Sequence, residues 1–244
     1  IKKETTAKKK THPLKTIKTL CRNKYFILIT LAFAVIYTSL GLTGGSRIYY
    51  AKYVLGDEML NSTMTMFNYI PTILTIMLIP VFTKRFGKIK ALFVGFLFYA
   101  AGLVLEIAGP VNLPMIYTGL VLQGIGHAAL YSCLFAIVGD VVDYSEWKDG
   151  VREEGITYSV TSFGQKIGTG LGTAALGWIL AAGHYDGTAA VQSASAIFAI
   201  KGLFLYLPLV ITVIVLIIWY LFMGIDKIYP TVRKELDERR EKAE

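Results

Sequence analysis

The sequence predicts an all-α membrane protein with six transmembrane helices. Three observations carry that prediction. Apolar residues make up 54% of the 244 positions and charged residues only 17%, whereas soluble domains run at about 25% charged. The apolar residues gather into six runs, each near the roughly 20 residues that cross a bilayer as helix. Lys and Arg concentrate in the segments between alternate runs, as membrane topology requires. The mean hydropathy of +0.53 fits the same class.

The runs follow in order along the chain. The first covers residues 25–43, carries no charge and extends toward Tyr53. The second, 63–82, contains Pro71, and Asn68, Thr72 and Thr75 form a short polar stripe around it. Two roles fit that stripe, lining a cavity or relieving a proline kink. The third run is 89–108, the fourth 115–139, the fifth 156–182 and the sixth 203–224. Between them lie Gly44-Gly45, Gly56-Asp57-Glu58, Gly109-Pro110, a charged block at 140–154 and a Gly-bounded segment at 183–187, all of which read as breaks.

Orientation follows from the cations. With the amino end inside, the cytoplasmic segments hold 21 of the 25 Lys and Arg residues. The outer loops hold Arg47, Lys52 and Lys201, and Lys166 falls inside a span. Both ends are therefore expected in the cytoplasm of a multi-pass protein of the cell (inner or plasma) membrane. The expected organisation is a basic cytoplasmic linker at 1–24, a six-helix transmembrane bundle at 25–225 and a cytoplasmic tail at 226–244. The tail mixes acids and bases as a solvated segment does, and Pro230 is placed to open a short helix. The chain begins at Ile1 in a Lys/Thr-rich stretch, which reads as the interior or a processed piece of a longer polypeptide.

Several function classes recede on composition. The net charge of +8 flanks apolar runs, so it points to membrane anchoring rather than to nucleic acid. Cys21 and Cys133 give neither a disulfide framework nor a metal-ligand spacing. The three histidines, His12, His127 and His184, form no His-Glu-x-x-His, and no nucleophile and base stand at an interpretable spacing, so no enzyme, cofactor or metal site is expected.

Lys166 is the deepest charge. It lies ten positions into the fifth run, roughly 15 Å along the axis at 1.5 Å per residue and near the bilayer midplane. Its stem is too short to carry the ammonium to either headgroup layer, and facing lipid costs about 2.5 kcal/mol or more. Ser159, Ser162, Thr169 and Thr173 fall within about 60° of Lys166 around the helix. The opposite side carries Gly164, Gly168 and Gly172, a small-xxx-small pattern that admits a close neighbour. Two readings are open: a buried pair with a structural carboxylate, or the lining of a solute pathway. The hydroxyl stripe favours the second.

In the fourth run Gln123, His127 and Tyr131 share a face at i, i+4 and i+8. For Gln123 and His127 an interhelical hydrogen bond competes with a cavity-lining role, while the Tyr131 ring is suited to stack on the apolar face of a sugar. Glu106, the one acid inside a predicted span, lies near the outer end of the third and reads as interfacial. On the cytoplasmic side Asp140 and Asp143 are one helical turn apart. A divalent-metal site needs more converging oxygens, so a gate is expected in which this pair meets Arg152, or Lys84 and Arg85 of the basic turn at 82–90.

The charged block also resembles a known family. Gly139, Asp140, Asp143, Tyr144, Glu146, Trp147 and Lys148, then Gly150 and Arg152, then Glu154, Gly155, Tyr158 and Ser159, are similar to the glycoside–pentoside–hexuronide:cation symporters of the major facilitator superfamily, the melibiose permease and glucuronide carrier type. Gln165, Lys166, Gly168 and the stretch from Gln192 to Ala196 continue the likeness. It covers essentially the whole chain but only the carboxy-terminal half of a family member, whose twelve spans form two six-helix bundles. The resemblance implies that Lys166, Ser162 and Gln165 stand beside sugar and cation sites. It implies that Tyr131 replaces a sugar-stacking tryptophan, and that Asp140, Asp143 and Arg152 close the cytoplasmic side. The family's acidic cation-binding residues belong to the other half.

The expectation is thus a carboxy-terminal bundle for secondary active transport of a sugar or glycoside (a glycoside, pentoside or hexuronide) by alternating access. Its co-substrate would be Na+ or H+, and its partners that solute, a monovalent cation, an amino-terminal six-helix bundle and the lipid bilayer. The competing reading is a stand-alone six-span channel or oligomeric membrane protein, although no filter loop or ring of pore charges is visible.

Overall fold

A computed structural model describes residues 20, 22–150 and 152–242, and among these every regular element is helical. The helices are α1 (Lys24–Tyr53), α2 (Leu60–Ile76), α3 (Ile79–Phe86), α4 (Lys88–Ala108), α5 (Leu113–Asp149), α6 (Glu154–Ala182), α7 (Ala194–Lys201), α8 (Leu207–Phe222) and α9 (Gly224–Glu241). A π-helical turn, Gly202–Tyr206, joins α7 to α8. Expectations for the segment 1–24 and for Cys21 and His12 fall largely outside the described residues.

Local chemistry sets the boundaries. The side chains of Asn23, Asn112 and Ser193 accept hydrogen bonds from Tyr25 N, Met115 N and Ala196 N, which caps α1, α5 and α7. Helix α5 stops at Gly150, whose φ of 66° closes the helix in the left-handed region. Gly44-Gly45 does not end the first helix, which runs on to Tyr53 and takes Arg47 and Lys52 out of the loop assigned to them above. Lys201 likewise ends a helix, α7. The charged block begins inside α5, which continues through Asp140 and Asp143 to Asp149.

The second predicted run is broken, but not at Pro71, which sits inside α2. The 55° bend falls between α2 and α3. Pro80 is the cause: it has no N–H to offer the carbonyl one turn earlier, and it is preorganised for the first turn of a new helix. Pro208 opens α8 in the same way, and the π turn just before it takes up the mismatch.

Packing relies on small residues. A Cβ added to Gly164, Gly168 or Gly172 would lie 3.3, 2.4 or 2.2 Å from the carbonyl oxygens of Thr30, Ala34 and Thr38. Helices α1 and α6 therefore run parallel in near-contact of their backbones, on the glycine face the sequence predicts. Helices α4 and α5 run antiparallel at a similar distance, Gly95 meeting Gly126 and Gly102 meeting Gly119. Helix α2 is held to α5 by polar bonds: Asn68 Nδ2 donates to Leu120 O at 3.2 Å, and Thr72 Oγ1 to Gly124 O at 3.0 Å.

Among the described residues, four helical stretches are long and apolar enough to cross a membrane, or five when the bent pair α2–α3 counts as one span. Helix α6, 29 residues long, falls outside that set because its hydroxyls, glycines and Lys166 dilute its hydropathy.

The tail departs from the solvated segment expected. Helix α9 buries Ile225, Val232 and Leu236 and fastens onto the end of α5. Trp147 Nε1 donates to Glu235 Oε2 at 2.7 Å, Tyr229 Oη to Asp143 Oδ2 at 2.9 Å, and Arg240 Nη2 to Glu146 Oε2 at 3.0 Å. Three apolar residues of an 18-residue helix, spaced seven and four apart among charges, are enough to dock it.

Candidate functional site

A polar cavity of about 260 Å³ opens between α1, α2 and α5. Helix α1 contributes Leu40, Thr43, Gly44 and Arg47, helix α2 Asn61, Thr65, Asn68 and Tyr69, and helix α5 His127 and Tyr131. Tyr69 and Tyr131 are 49% and 46% exposed, so two aromatic rings are free to meet a ligand. Arg47 Nη1 donates to Thr65 Oγ1 at 3.1 Å. His127 Nδ1 and Asn68 Oδ1 lie 3.3 Å apart, so His127 both lines the cavity and bridges α5 to α2.

The predicted site residues divide. Tyr131 and His127 lie in this cavity. Gln123 does not: it is buried between α5 and α4, where its Nε2 donates to Glu106 Oε1 at 2.7 Å. Glu106 is itself 0% exposed rather than interfacial. The shared face of Gln123, His127 and Tyr131 spreads too widely for one cavity, and the carboxyl across the helix contact claims the first of them. Of the second run's stripe, Asn68 and Thr72 are buried in hydrogen bonds to α5, and Thr75 lines a separate apolar pocket.

Lys166, Ser159, Thr169 and Thr173 are exposed, and Ser162 and Gln165 half-buried, along one side of α6. Thr169 Oγ1 donates to Gln165 O at 3.0 Å and Thr173 Oγ1 to Thr169 O at 2.9 Å. Those hydroxyl protons are engaged within the helix, so both oxygens present acceptor lone pairs outward. Among the described residues Lys166 makes no ion pair. None of the six lines the cavity itself.

Arg47, Asn61, Thr65 and Tyr69 escaped the sequence reading. Arg47 was hidden by taking Gly44-Gly45 for a helix end. Asn61, Thr65, Asn68 and Thr72 recur at four, three and four positions, a helical polar stripe that was legible one turn earlier than it was read.

At the end of the bundle that carries the charged block, the acids find two different cations. Lys88 Nζ bonds both oxygens of Asp140 at 2.6 and 2.8 Å, with Asp140 buried. Arg152 Nη1 donates to Asp143 at 2.9 Å and to Glu146 at 2.5 Å, and Nη2 donates to Glu154. The Glu146 carboxylate first, and then Glu154 and Asp143, hold the Arg152 guanidinium above its ordinary value. Lys84 and Arg85 line the neighbouring cavity with Lys88 and Asp140, but the ion pair to Asp140 is made by Lys88. The turn presents Lys88 at the start of α4, one face away from Lys84 and Arg85 at the end of α3. Asp226 Oδ2 accepts from Ile89 N and Lys90 N at 3.1 and 3.2 Å and so caps α4 from α9. Burial pushes that carboxyl above the usual range, against the lowering effect of the two backbone donors.

Comparison with known proteins agrees with this architecture. The sequence model of the family described as MFS/sugar transport protein matches residues 1–227. The isoprimeverose transporter of Lactiplantibacillus pentosus is 31% identical over 242 residues, which cover 97% of this chain and 49% of that protein. A glucuronide carrier protein homolog of Escherichia coli is 27% identical, covering 92% and 50%. A symporter of Bacillus subtilis, YjmB, is 26% identical, covering 91% and 49%. The chain spans about half the length of the curated relatives it matches. The helical bundle, the charged block at one end of it and the family match make one conclusion: this chain belongs to the MFS/sugar transport proteins, within the glycoside–pentoside–hexuronide group of the major facilitator superfamily.

Proposed function

We propose that this chain is the carboxy-terminal six-helix bundle of a secondary active transporter that moves a sugar or glycoside by alternating access, coupled to Na+ or H+. In this reading α1, the α2–α3 pair, α4, α5, α6 and α8 cross the cell membrane, and both ends are cytoplasmic. An amino-terminal bundle closes against the polar side of this one and supplies most of the cation site. Solute binds between the bundles, with Tyr131 stacking on it and Lys166, Ser162 and Gln165 contacting its oxygens. Lys88–Asp140 and Arg152–Asp143 hold the cytoplasmic side, and α9 braces them.

The observation that carries this reading is the division of α6. One side is pressed against the α1 backbone through three glycines, while the other leaves an ammonium and a row of hydroxyls open. A cation and hydroxyls exposed at membrane depth demand water, a ligand or a second polar surface. The polar cavity between α1, α2 and α5 adds hydrogen-bonding groups of the kind a dehydrated sugar needs.

The test is Lys166→Ala in the transporter assembled from both bundles, with uptake of labelled glycosides into vesicles. Accumulation should fall severely while the protein still reaches the membrane. Wild-type accumulation would refute the role of Lys166. Saturation and counterflow identify a carrier, and single-channel current in their place would establish the pore reading.

A further inference from the structure

Helices α4 and α5 make room for a carboxyl that the proposed mechanism does not use. A side chain at Gly119 would fill the place of Glu106, since a Cβ there would lie 2.6 Å from its Cγ and 3.0 Å from its Oε1. Glu106 is 0% exposed and stands near the end of α4. Its Oε1 accepts from Gln123 Nε2 at 2.7 Å, but its Oε2 is buried without a hydrogen bond. This chain alone encloses the group, so its setting is complete without a second bundle.

A second orphan stands nearby. Arg47 Nε is buried without a hydrogen bond, and Arg47 and Glu106 lie within electrostatic reach of each other but beyond the 4.0 Å of an ion pair. Arg47 also lines the polar cavity, where Nη1 donates to Thr65 Oγ1 at 3.1 Å. The other titratable groups around Glu106 are Tyr50 on α1, Tyr99 on α4 itself and, one turn past Gln123, His127 on α5. Tyr206 of the π turn acts on Tyr50. The rings of Tyr99 and His127 pack with centroids 5.0 Å apart. With Ser39 and Thr212 they border a space of about 20 Å³, room for one water, and His127 reaches from there to the cavity.

An unpaired carboxylate with an idle oxygen is the costliest form this group can take in a dry interior. Two other forms are stable: the protonated acid, and a carboxylate with a guanidinium brought to its idle oxygen. The first leaves Arg47 on the cavity wall, and the second draws it away.

We infer that Glu106 is a proton site built into this bundle, with Arg47 as the group that answers its charge. While Glu106 holds the proton, Arg47 lines the cavity. When the Oε2–H bond breaks, the proton leaves past Tyr99 and His127 to water in the cavity, and the carboxylate keeps the electron pair. Arg47 Nε–H then donates to Oε2. The protonation of Glu106 thereby sets the charge on the cavity wall. This inference rests on the proposed function, since it takes the chain for half of a coupled transporter.

The test uses the transporter assembled from both bundles. Infrared difference spectra of the purified protein between acid and alkaline pH should show a carboxylic C=O band that vanishes as pH rises and is missing from Glu106→Gln. A band that persists at every pH, as a purely structural acid gives, overturns the inference, and so does a spectrum that the substitution leaves unchanged. In proteoliposomes Glu106→Gln should lower the accumulation of labelled methyl glucoside and methyl xyloside under a pH gradient by about tenfold or more, while counterflow, which moves no net proton, stays within about twofold of native. Adding Arg47→Gln should lower accumulation no further, as for two members of one unit; an additive loss overturns the pairing. Native accumulation by Glu106→Gln, or a native protein driven by Na+ and indifferent to the pH gradient, overturns the inference and leaves the transporter reading intact. Counterflow of neither solute by the native protein overturns both.

Discussion

Gly172→Ala is a sharp test of the contact that leaves one side of α6 open. The added Cβ would stand 2.2 Å from Thr38 O and 2.9 Å from Leu42 N, against roughly 3.5 Å for an unstrained contact. Both obstacles are backbone, so no side chain can swing away, and α1 and α6 must separate locally by about 1 Å. Overpacking of that kind costs about 1–3 kcal/mol. Alanine's better helix propensity returns up to about 1 kcal/mol, so a net loss of about 1–2 kcal/mol is expected. Gly170→Ala is the matched control: nothing lies within 4 Å of its Cβ, and the same propensity gain should leave it as stable as wild type or slightly more so. The assay is heat-induced loss of the monodisperse peak in detergent for the two variants of the transporter. If Gly172→Ala melts at or above Gly170→Ala, the glycine face is not the packed face, and the orientation of Lys166 derived from it is wrong.

Three further outcomes follow from the same geometry. Cysteine in place of Lys166, with Cys133 kept as the buried internal reference and Cys21 replaced, should react with a membrane-impermeant maleimide in at least one transport state; protection in every state would remove the open face. Gln123→Leu should destabilise the bundle by about 1–3 kcal/mol by stranding the Glu106 carboxyl, whereas Glu106→Gln should be milder because two amides still bond; equal melting of the two variants would contradict the pair. Asp226→Ala should cost about 1 kcal/mol through the lost cap on α4, with Asn restoring most of it. Because burial on folding raises this carboxyl above its ordinary value, the folded bundle binds the proton more tightly than the unfolded chain. That contribution is complete below the unfolded value and is lost as pH rises through the folded one, so Asp226→Asn should flatten the decline in melting temperature across that window, and an unchanged profile would show that Asp226 does not titrate with folding.

Hydropathy and small-residue spacing made the apolar runs and the packing face of α6 legible, because both follow from period alone; that α1 packs there was not. Partner identity was not legible in the same way. Glu106 was read as interfacial from its distance along a span, and only the antiparallel register of α4 and α5 shows that Gly102 and Gly119 leave room for it beside Gln123. Arg47 was lost to a Gly-Gly pair that a membrane helix tolerates when its backbone bonds stay internal and a neighbour packs on the exposed carbonyls. The Asp140 partner turned on where the helix break falls in a four-cation turn, which puts Lys84 and Arg85 at the end of α3 and Lys88 in the first turn of α4, against Asp140. Asp143 and Arg152 were found because they are nine residues apart across a short loop and face each other whatever the rest of the fold does.

The polar residues inside the bundle fall into two groups, and burial separates them. Asn68, Thr72, Gln123 and Glu106 are enclosed and answer one another or a backbone carbonyl across a helix contact. Within a membrane such bonds hold helices together, and each member would be costly alone. Lys166, Ser159, Thr169, Thr173, Tyr131 and Tyr69 are exposed, and the chain gives them little to bond. Lipid penalises an exposed ammonium at membrane depth by about 2.5 kcal/mol or more. Their exposure on surfaces that do not pack, on a helix whose glycine face does, fits contact with something polar. In the proposed transporter, a solute in water between two bundles meets that requirement, and Lys166 is the residue on which its uptake should turn.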